Sequence, residues 1–319
     1  METKQEYWEG LAAGSFFLVA TGAMMFIVLA VLDLIGTQIS TQINGWASLV
    51  AVAGAAIGGL LLMIEAGNKA KAYLIVANPA SMASKNAIMM TLFMGIAFVY
   101  ATFFFDFIPW AGLEIIQNTV AVLGIITALI AVVIPALELG ESRGRAFWDA
   151  SALGPVFIIT SAASGLAAVI LTAVIMGYAE NISILILDKV LLGFLVLQLI
   201  SVVTYVFGKR HSGAYEARKA ADNILNGQFK ISFWGGIILA GTIVPILMLL
   251  LGSISFILIA KTVLVLIGGA CFRNVFLQAA IRKPLPGEEN EFLGHEEILW
   301  LAEKLEKRWQ EKAAEIAGR

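Results

Sequence analysis

The stretch GLAAGSFFLVATGAMMFIVLAVLD, residues 10–33, carries no charged side chain until its last position. Wound as an α-helix at 1.5 Å per residue it is about 36 Å long, enough to cross a hydrocarbon core of about 30 Å. The rest of the chain repeats the pattern. Further apolar runs lie at 46–66, 86–108, 115–138, 152–178, 183–207, 231–252 and 254–279, so eight crossings are expected. Across 319 residues, 60% are hydrophobic and 14% are charged, with a mean hydropathy of +0.88. Soluble domains hold roughly 25% charged residues, so lipid is the solvent here. Soluble enzymes, nucleic-acid-binding proteins and disordered scaffolds are excluded together.

Cysteine and histidine narrow the chemistry. Cys271 is the lone cysteine, so no disulfide framework or iron–sulfur cluster can be built from it. His211 and His295 are the only histidines, both outside the apolar runs, which leaves no axial ligand for a haem within the bilayer. Redox metal is therefore expected on a partner.

Charge placement sets the orientation. Segments after even-numbered runs carry Lys69, Lys71 and Lys85, then Arg143 and Arg145, then Lys209, Arg210, Arg218, Lys219 and Lys230, then Arg282 and Lys283. Segments after odd-numbered runs carry none, with Lys189 placed inside its run. By the positive-inside rule both termini face the cytoplasm of a prokaryotic inner membrane. The acidic start (Met1 to Glu9) is unlike a signal-peptide n-region, and the first run is expected to be a retained anchor. Small-residue runs at Gly10–Ser15 and Ser161–Ala168 suggest a twofold repeat. The expected fold is all-α: a transmembrane domain over 1–283, with halves of about 1–140 and 141–283 as two four-helix bundles, then a charged amphipathic tail over 284–319.

Ionisable groups in a bilayer are costly, and so are functional candidates. They are Glu9, Glu65, Glu138, Glu141, Asp188, Lys189, Lys261 and Arg273. Asp188 and Lys189 are adjacent and so point about 100° apart on a helix, which sends at least one of them toward protein. Asp188 and Lys261 both enter from the outer side and could pair. Aromatic residues near the surfaces suit an interfacial belt. Trp8 and Trp148 also neighbour acidic residues, an arrangement suited to stacking a quinone ring beside a proton acceptor.

Four motifs occur in order. Gly10-Leu11-Ala12-Ala13-Gly14 follows aromatics; Phe147-Trp148-Asp149-Ala150-Ser151-Ala152-Leu153 leads to Phe157 and Ser161-Ala162-Ala163-Ser164-Gly165. Phe233-Trp234-Gly235-Gly236 precedes Gly241-Thr242-Ile243-Val244-Pro245, and Leu266-Ile267-Gly268-Gly269 precedes Arg273. Together they resemble the NrfD/polysulfide reductase family of membrane-anchor subunits. The resemblance implies an eight-helix, quinone-reactive subunit (menaquinone or ubiquinone) with no haem or iron–sulfur cluster of its own. It also implies a ferredoxin-like partner with [4Fe–4S] clusters, which serves a molybdopterin catalytic subunit. By position, Gln5 falls where family members hold the quinone, beside Trp8, Glu9 and Trp148. Glu138 stands near a family tyrosine that Ile134-Pro135-Ala136 lacks. Glu65, Asp188 and Arg273 match parts of a proton path, to which Lys261 is added. A secondary transporter is the rival reading, although Pro135 and Pro245 do not correspond between halves. A purely structural anchor is the third.

Beyond Pro284 and Pro286, Ile298, Leu301, Leu305, Trp309 and Ile316 recur at helical spacing among charged residues. This tail is expected to dock on the cytoplasmic face of this subunit or on its iron–sulfur partner rather than on lipid. The orientation has a direct check. In a Cys271→Ser background, Asn226→Cys should resist a membrane-impermeant thiol reagent added outside intact cells; labelling there would invert the topology.

Overall fold

The computed structural model describes residues 10–37, 41–65, 78, 80–142, 144–149, 151–179, 181–249, 254–283 and 295–317. Within them the elements are α1 (Gly10–Leu34), α2 (Thr41–Glu65), α3 (Met82–Thr102), α4 (Glu114–Gly140), α5 (Leu153–Ile175), α6 (Ile182–Arg210), the short α7 (Tyr215–Leu225), α8 (Ile231–Leu249), α9 (Ser255–Gln278) and α10 (His295–Ala317). Eight of these are long and apolar enough to cross a membrane, all but α7 and α10. The eight expected runs are therefore present. The stretch between Lys209 and Lys230, read from sequence as a charged connection, contains α7, whose Ala217, Ala220, Ala221, Ile224 and Leu225 are buried.

Local chemistry explains several boundaries. The Ser81 hydroxyl accepts from the Ser84 amide at 3.1 Å and caps α3, and the Asn181 side chain accepts from the Ser183 amide at 2.8 Å and caps α6. Residues Ile231–Ile243 of α8 wind as a π-helix, and Val244–Leu249 continue as α-helix. Pro245 lies at that change of winding; it has no N–H to give to either ladder. The Thr242 hydroxyl donates to the Ile237 carbonyl five residues back, at 2.9 Å, which adds a side-chain bond to the wide turn. A π-helix of this length is rare, and nothing in the sequence pattern announces it.

Close backbone approach holds α8 to α9. A Cβ on Gly241 would lie 2.5 Å from Gly268 Cα, and one on Gly268 would collide with Gly241. Gly269, the next residue, faces the other way, where a Cβ would strike Ser164 of α5 and Phe17 of α1. One glycine pair thus lets α9 touch α8 on one side and α1 and α5 on the other. Small residues at such crossings supply the van der Waals contact that drives helix association in lipid.

The core divides by depth rather than by half. The outer cluster joins Met24, Phe26 and Leu29 of α1 to Phe93, Tyr100 and Ala128 of the first half and to Ile170, Leu187, Leu191 and Leu258 of the second. The inner cluster joins Ala12 and Phe16 of α1 and Leu139 of α4 to Phe157, Val206, Phe233, Phe272 and Phe276. Both levels draw on both halves, so the packing does not isolate two self-contained bundles. The reason is α1, which packs on α2 and α4 and also on α5 and α9.

The connection after α4 closes over the C-terminal end of α9. Trp148 donates its indole N–H to the Phe276 carbonyl at 2.8 Å, and Arg145 donates to the Ala280 carbonyl at 2.9 Å. Such bonds satisfy carbonyls that the end of α9 leaves without helical partners. The Arg145 guanidinium also sits 4.9 Å from the Trp148 ring centre. Burial, then the like charge of Arg282, pulls that guanidinium below its ordinary range. Tyr205 donates to the Phe147 carbonyl at 2.6 Å, and Lys209 donates to the carbonyls of Ala146 at 2.6 Å and Asp149 at 2.9 Å.

In the tail, every side chain from Leu299 to Lys312 is exposed, so Leu301, Leu305 and Trp309 are not covered by this chain's own surface.

The glycine contact makes a stability prediction. Gly268→Ala should cost on the order of 1–3 kcal/mol, because overpacked cores must shift backbone. Gly193→Ala, where a Cβ meets nothing within 4 Å, should be neutral. Thermal midpoints of the detergent-solubilised variants test this, and equal midpoints would remove the contact from the stability argument.

A candidate proton line through the second half

Asp188 lies six residues into α6 and Lys261 six residues into α9, each about 9 Å along its helix from the N-terminal end. Their side chains form a direct ion pair with Asp188 2% and Lys261 0% exposed. The pairing that the sequence left open is thus made. Lys189, one residue on, is exposed, as the 100° rotation between neighbours requires. Isolated ions are expensive to bury, and mutual attraction offsets much of that cost only when the pair is direct.

Further along α6, the Gln198 side-chain amide donates to the Thr242 hydroxyl of α8 at 3.0 Å, both buried. Sequence reading missed this pair, although a glutamine inside an apolar run is a visible signal. Arg273 comes next. It sits twelve residues beyond Lys261 on α9, about 18 Å along the axis, and is 2% exposed. Its Nη2 donates to the Ser161 hydroxyl at 2.5 Å and the Phe157 carbonyl at 3.3 Å. Its guanidinium stacks 3.9 Å from the Phe157 ring centre and 5.5 Å from that of Phe272. Among the described residues Arg273 Nη1 and Thr21 Oγ1 are buried without a hydrogen-bond partner, and both residues line a narrow crevice between α1, α5 and α9 with Thr160, Ser161 and Ser164. The second half therefore holds polar groups at three depths: Asp188–Lys261, Gln198–Thr242 and Arg273–Ser161.

The first half carries its own polar groups. Asp33, read from sequence only as the end of the first run, accepts on Oδ2 from the Tyr100 hydroxyl and the Gln117 amide, each at 2.8 Å. Tyr100 and Gln117 were not singled out; their signal was a polar atom inside each apolar run. Asn44 Oδ1 and Ser48 Oγ of α2 are also buried without a hydrogen-bond partner among the described residues. Near the C-terminal end of α4, Glu138 is half-buried and accepts from the Asn86 amide at 3.3 Å, and Glu65 is half-buried at the end of α2.

The sequence-derived quinone set is placed only in part. Gln5, Trp8 and Glu9 lie outside the described residues. Trp148 is 0% exposed and its N–H is engaged, so it is built into the closure beneath α9 and is not a surface aromatic. Glu138 is held by α3 and α4. Among the described residues no three His, Cys, Asp or Glu side chains converge as a metal site requires.

No curated protein matches the chain. The family model described as "Polysulphide reductase, NrfD" matches residues 2–283, which takes in all eight membrane-crossing helices and the whole polar line but stops short of α10. The chain belongs to the NrfD family, the membrane subunits of polysulfide-reductase-like oxidoreductases.

Proposed function

We propose that the protein is the quinone-reactive membrane subunit of a respiratory oxidoreductase, multi-pass in a prokaryotic inner membrane with both termini cytoplasmic. It exchanges electrons with a ferredoxin-like [4Fe–4S] partner, which serves a molybdopterin catalytic subunit. The observation that carries the reading is the fully buried Asp188–Lys261 pair at the outer end of a polar line through a chain of this family. A subunit that only anchored its partners would gain little from two buried charges, because apolar side chains of similar volume pack as well or better. The transporter reading loses its ground with the family match.

A quinone (menaquinone or ubiquinone), when bound, supplies two-electron, two-proton exchange. The residues present fit such a head group on the cytoplasmic side, where a half-buried carboxylate, Glu138, is oriented by the Asn86 amide. In this reading Glu138 holds or releases a proton at its carboxylate, while Gln5, Trp8 and Glu9 complete the binding wall. Trp148 supports that wall from behind by fixing the connection after α4 to α9. Glu65, Arg273, Lys261 and Asp188 serve proton movement. Arg273 Nη1 and Thr21 Oγ1 have donor and acceptor capacity to spare, as a relay position needs. A proton arriving at Asp188 neutralises it and weakens its hold on Lys261, so the pair has two charge states with different packing.

The pair separates stability from function. Lys261→Met alone should cost about 3–5 kcal/mol by leaving Asp188 uncompensated, and the double variant Asp188→Leu/Lys261→Met should recover most of it. Thermal unfolding reads both. The double variant should still copurify with its iron–sulfur partner yet lose at least about tenfold in quinone turnover, the scale of a lost proton-transfer group. Wild-type turnover in that variant would reduce the pair to packing.

A further inference from the structure

The family match ends at residue 283, and α10 lies beyond it. Whatever this helix does is an addition to the shared membrane domain. Leu301, Leu305 and Trp309 form one row at a spacing of four, 42%, 50% and 72% exposed. A second row, Lys304, Arg308 and Lys312, borders it on one side, and Ala302, Glu306 and Gln310 border it on the other. Trp300 meets the Tyr215 ring of α7 at 5.9 Å between centres, and Lys304 Nζ lies 4.6 Å from the Trp300 ring centre. At 100° per residue, Trp300 projects nearly opposite to the middle of the apolar row. The helix therefore touches α7 by its back, and the row faces outward.

We propose that this outward row is the docking ridge for the water-soluble, electron-carrying partner subunit on the cytoplasmic side; the identity of that partner rests on the function proposed above. The surface it fits is an apolar groove with an acidic rim along the Lys304–Lys312 edge. Charge argues against lipid as the occupant. Residues 284–319 carry nine carboxylate side chains against five Lys and Arg, a net acidic segment that an anionic leaflet repels. Membrane-surface helices instead concentrate Lys and Arg on their polar face. A second copy fits poorly as well. Lys312 interrupts the apolar row where a coiled-coil seam needs another apolar residue.

The test uses the full chain coexpressed with its partner, extracted in mild detergent and separated by gel filtration. The readout is the iron–sulfur absorbance retained per membrane subunit. The triple variant Leu301→Asp/Leu305→Asp/Trp309→Asp should retain at least tenfold less partner. Its thermal midpoint should be unchanged, since all three side chains are exposed. Lys304→Glu/Arg308→Glu, which leaves the apolar row intact, should weaken retention further as salt rises. Full retention by the triple variant overturns the proposal. So does quenching of a fluorophore at Leu305→Cys by brominated lipid in the reconstituted complex, which gives the row to the bilayer. A complex mass that halves in the triple variant with partner still bound gives it to a second copy and overturns the proposal too. A wild-type chain that brings down no iron–sulfur subunit sinks the functional reading itself, an outcome distinct from the other three.

Discussion

Lipid offers no hydrogen-bond partners, so each polar group inside the bilayer must find its partner within the protein. The arrangement follows from that constraint. Backbone groups are satisfied along eight helices, and the exceptions gather where side chains repair them. Thr242 donates to a carbonyl within the π-wound part of α8. Trp148 and Arg145 reach carbonyls at and just past the end of α9. Most side chains follow the same rule, which is why Asp188 is found with Lys261, Gln198 with Thr242, and Asp33 with Tyr100 and Gln117. Thr21 Oγ1, Asn44 Oδ1, Ser48 Oγ and Arg273 Nη1 find no hydrogen-bond partner among the described residues.

Those polar pairs need helices close enough to meet, and hydrophobic pressure does not bring helices together when the solvent is itself apolar. Glycine supplies the approach. With Gly241 against Gly268, and Gly269 against α1 and α5, α9 becomes the helix that the others share. It carries both Lys261 and Arg273, so the helix fixed from two sides is also the one that positions the charges. The wide winding of α8 belongs to the same contact, since Gly241 and Thr242 lie in its last turn. Displacing that turn would move the Gln198 partner and the glycine contact together.

The fold was legible because its signal is long. Twenty apolar residues in a row admit few alternatives, and the eight crossings fall close to their sequence-derived limits. What could not be read was anything that depends on which faces meet. The π-winding of Ile231–Ile243 has the same composition as an α-helix, and only its packing partners distinguish the two. The division of the core by depth follows from α1 crossing between halves, a long-range contact with no local sequence mark. Of the site, the ionisable residues were legible because each is an anomaly in an apolar run. Their neutral partners were not, because a serine, threonine or glutamine in a membrane helix is ordinary. Trp148 was legible as an aromatic beside an acidic residue near a membrane surface, but not its burial, which comes from the connection folding back beneath α9.

The polar line is not uniform, and its asymmetry bears on mechanism. At its outer end the positive charge of Lys261 meets a carboxylate directly. At its inner end Arg273 meets no carboxylate among the described residues; a hydroxyl, a carbonyl and two aromatic faces hold it instead. Those contacts stabilise a guanidinium without cancelling its charge, so the inner end stays electropositive where the outer end is neutral. A fixed positive charge disfavours a second cation beside it and stabilises a group that has lost a proton. Arg273, about 18 Å along α9 from Lys261, therefore leaves the two ends of the line electrostatically unlike. Its Nη1 and the Thr21 hydroxyl, without a hydrogen-bond partner among the described residues, face a crevice too narrow to hold a water. A buried donor left without a partner is costly in lipid, so the guanidinium's other contacts, to Ser161, Phe157 and Phe272, must carry its stabilisation.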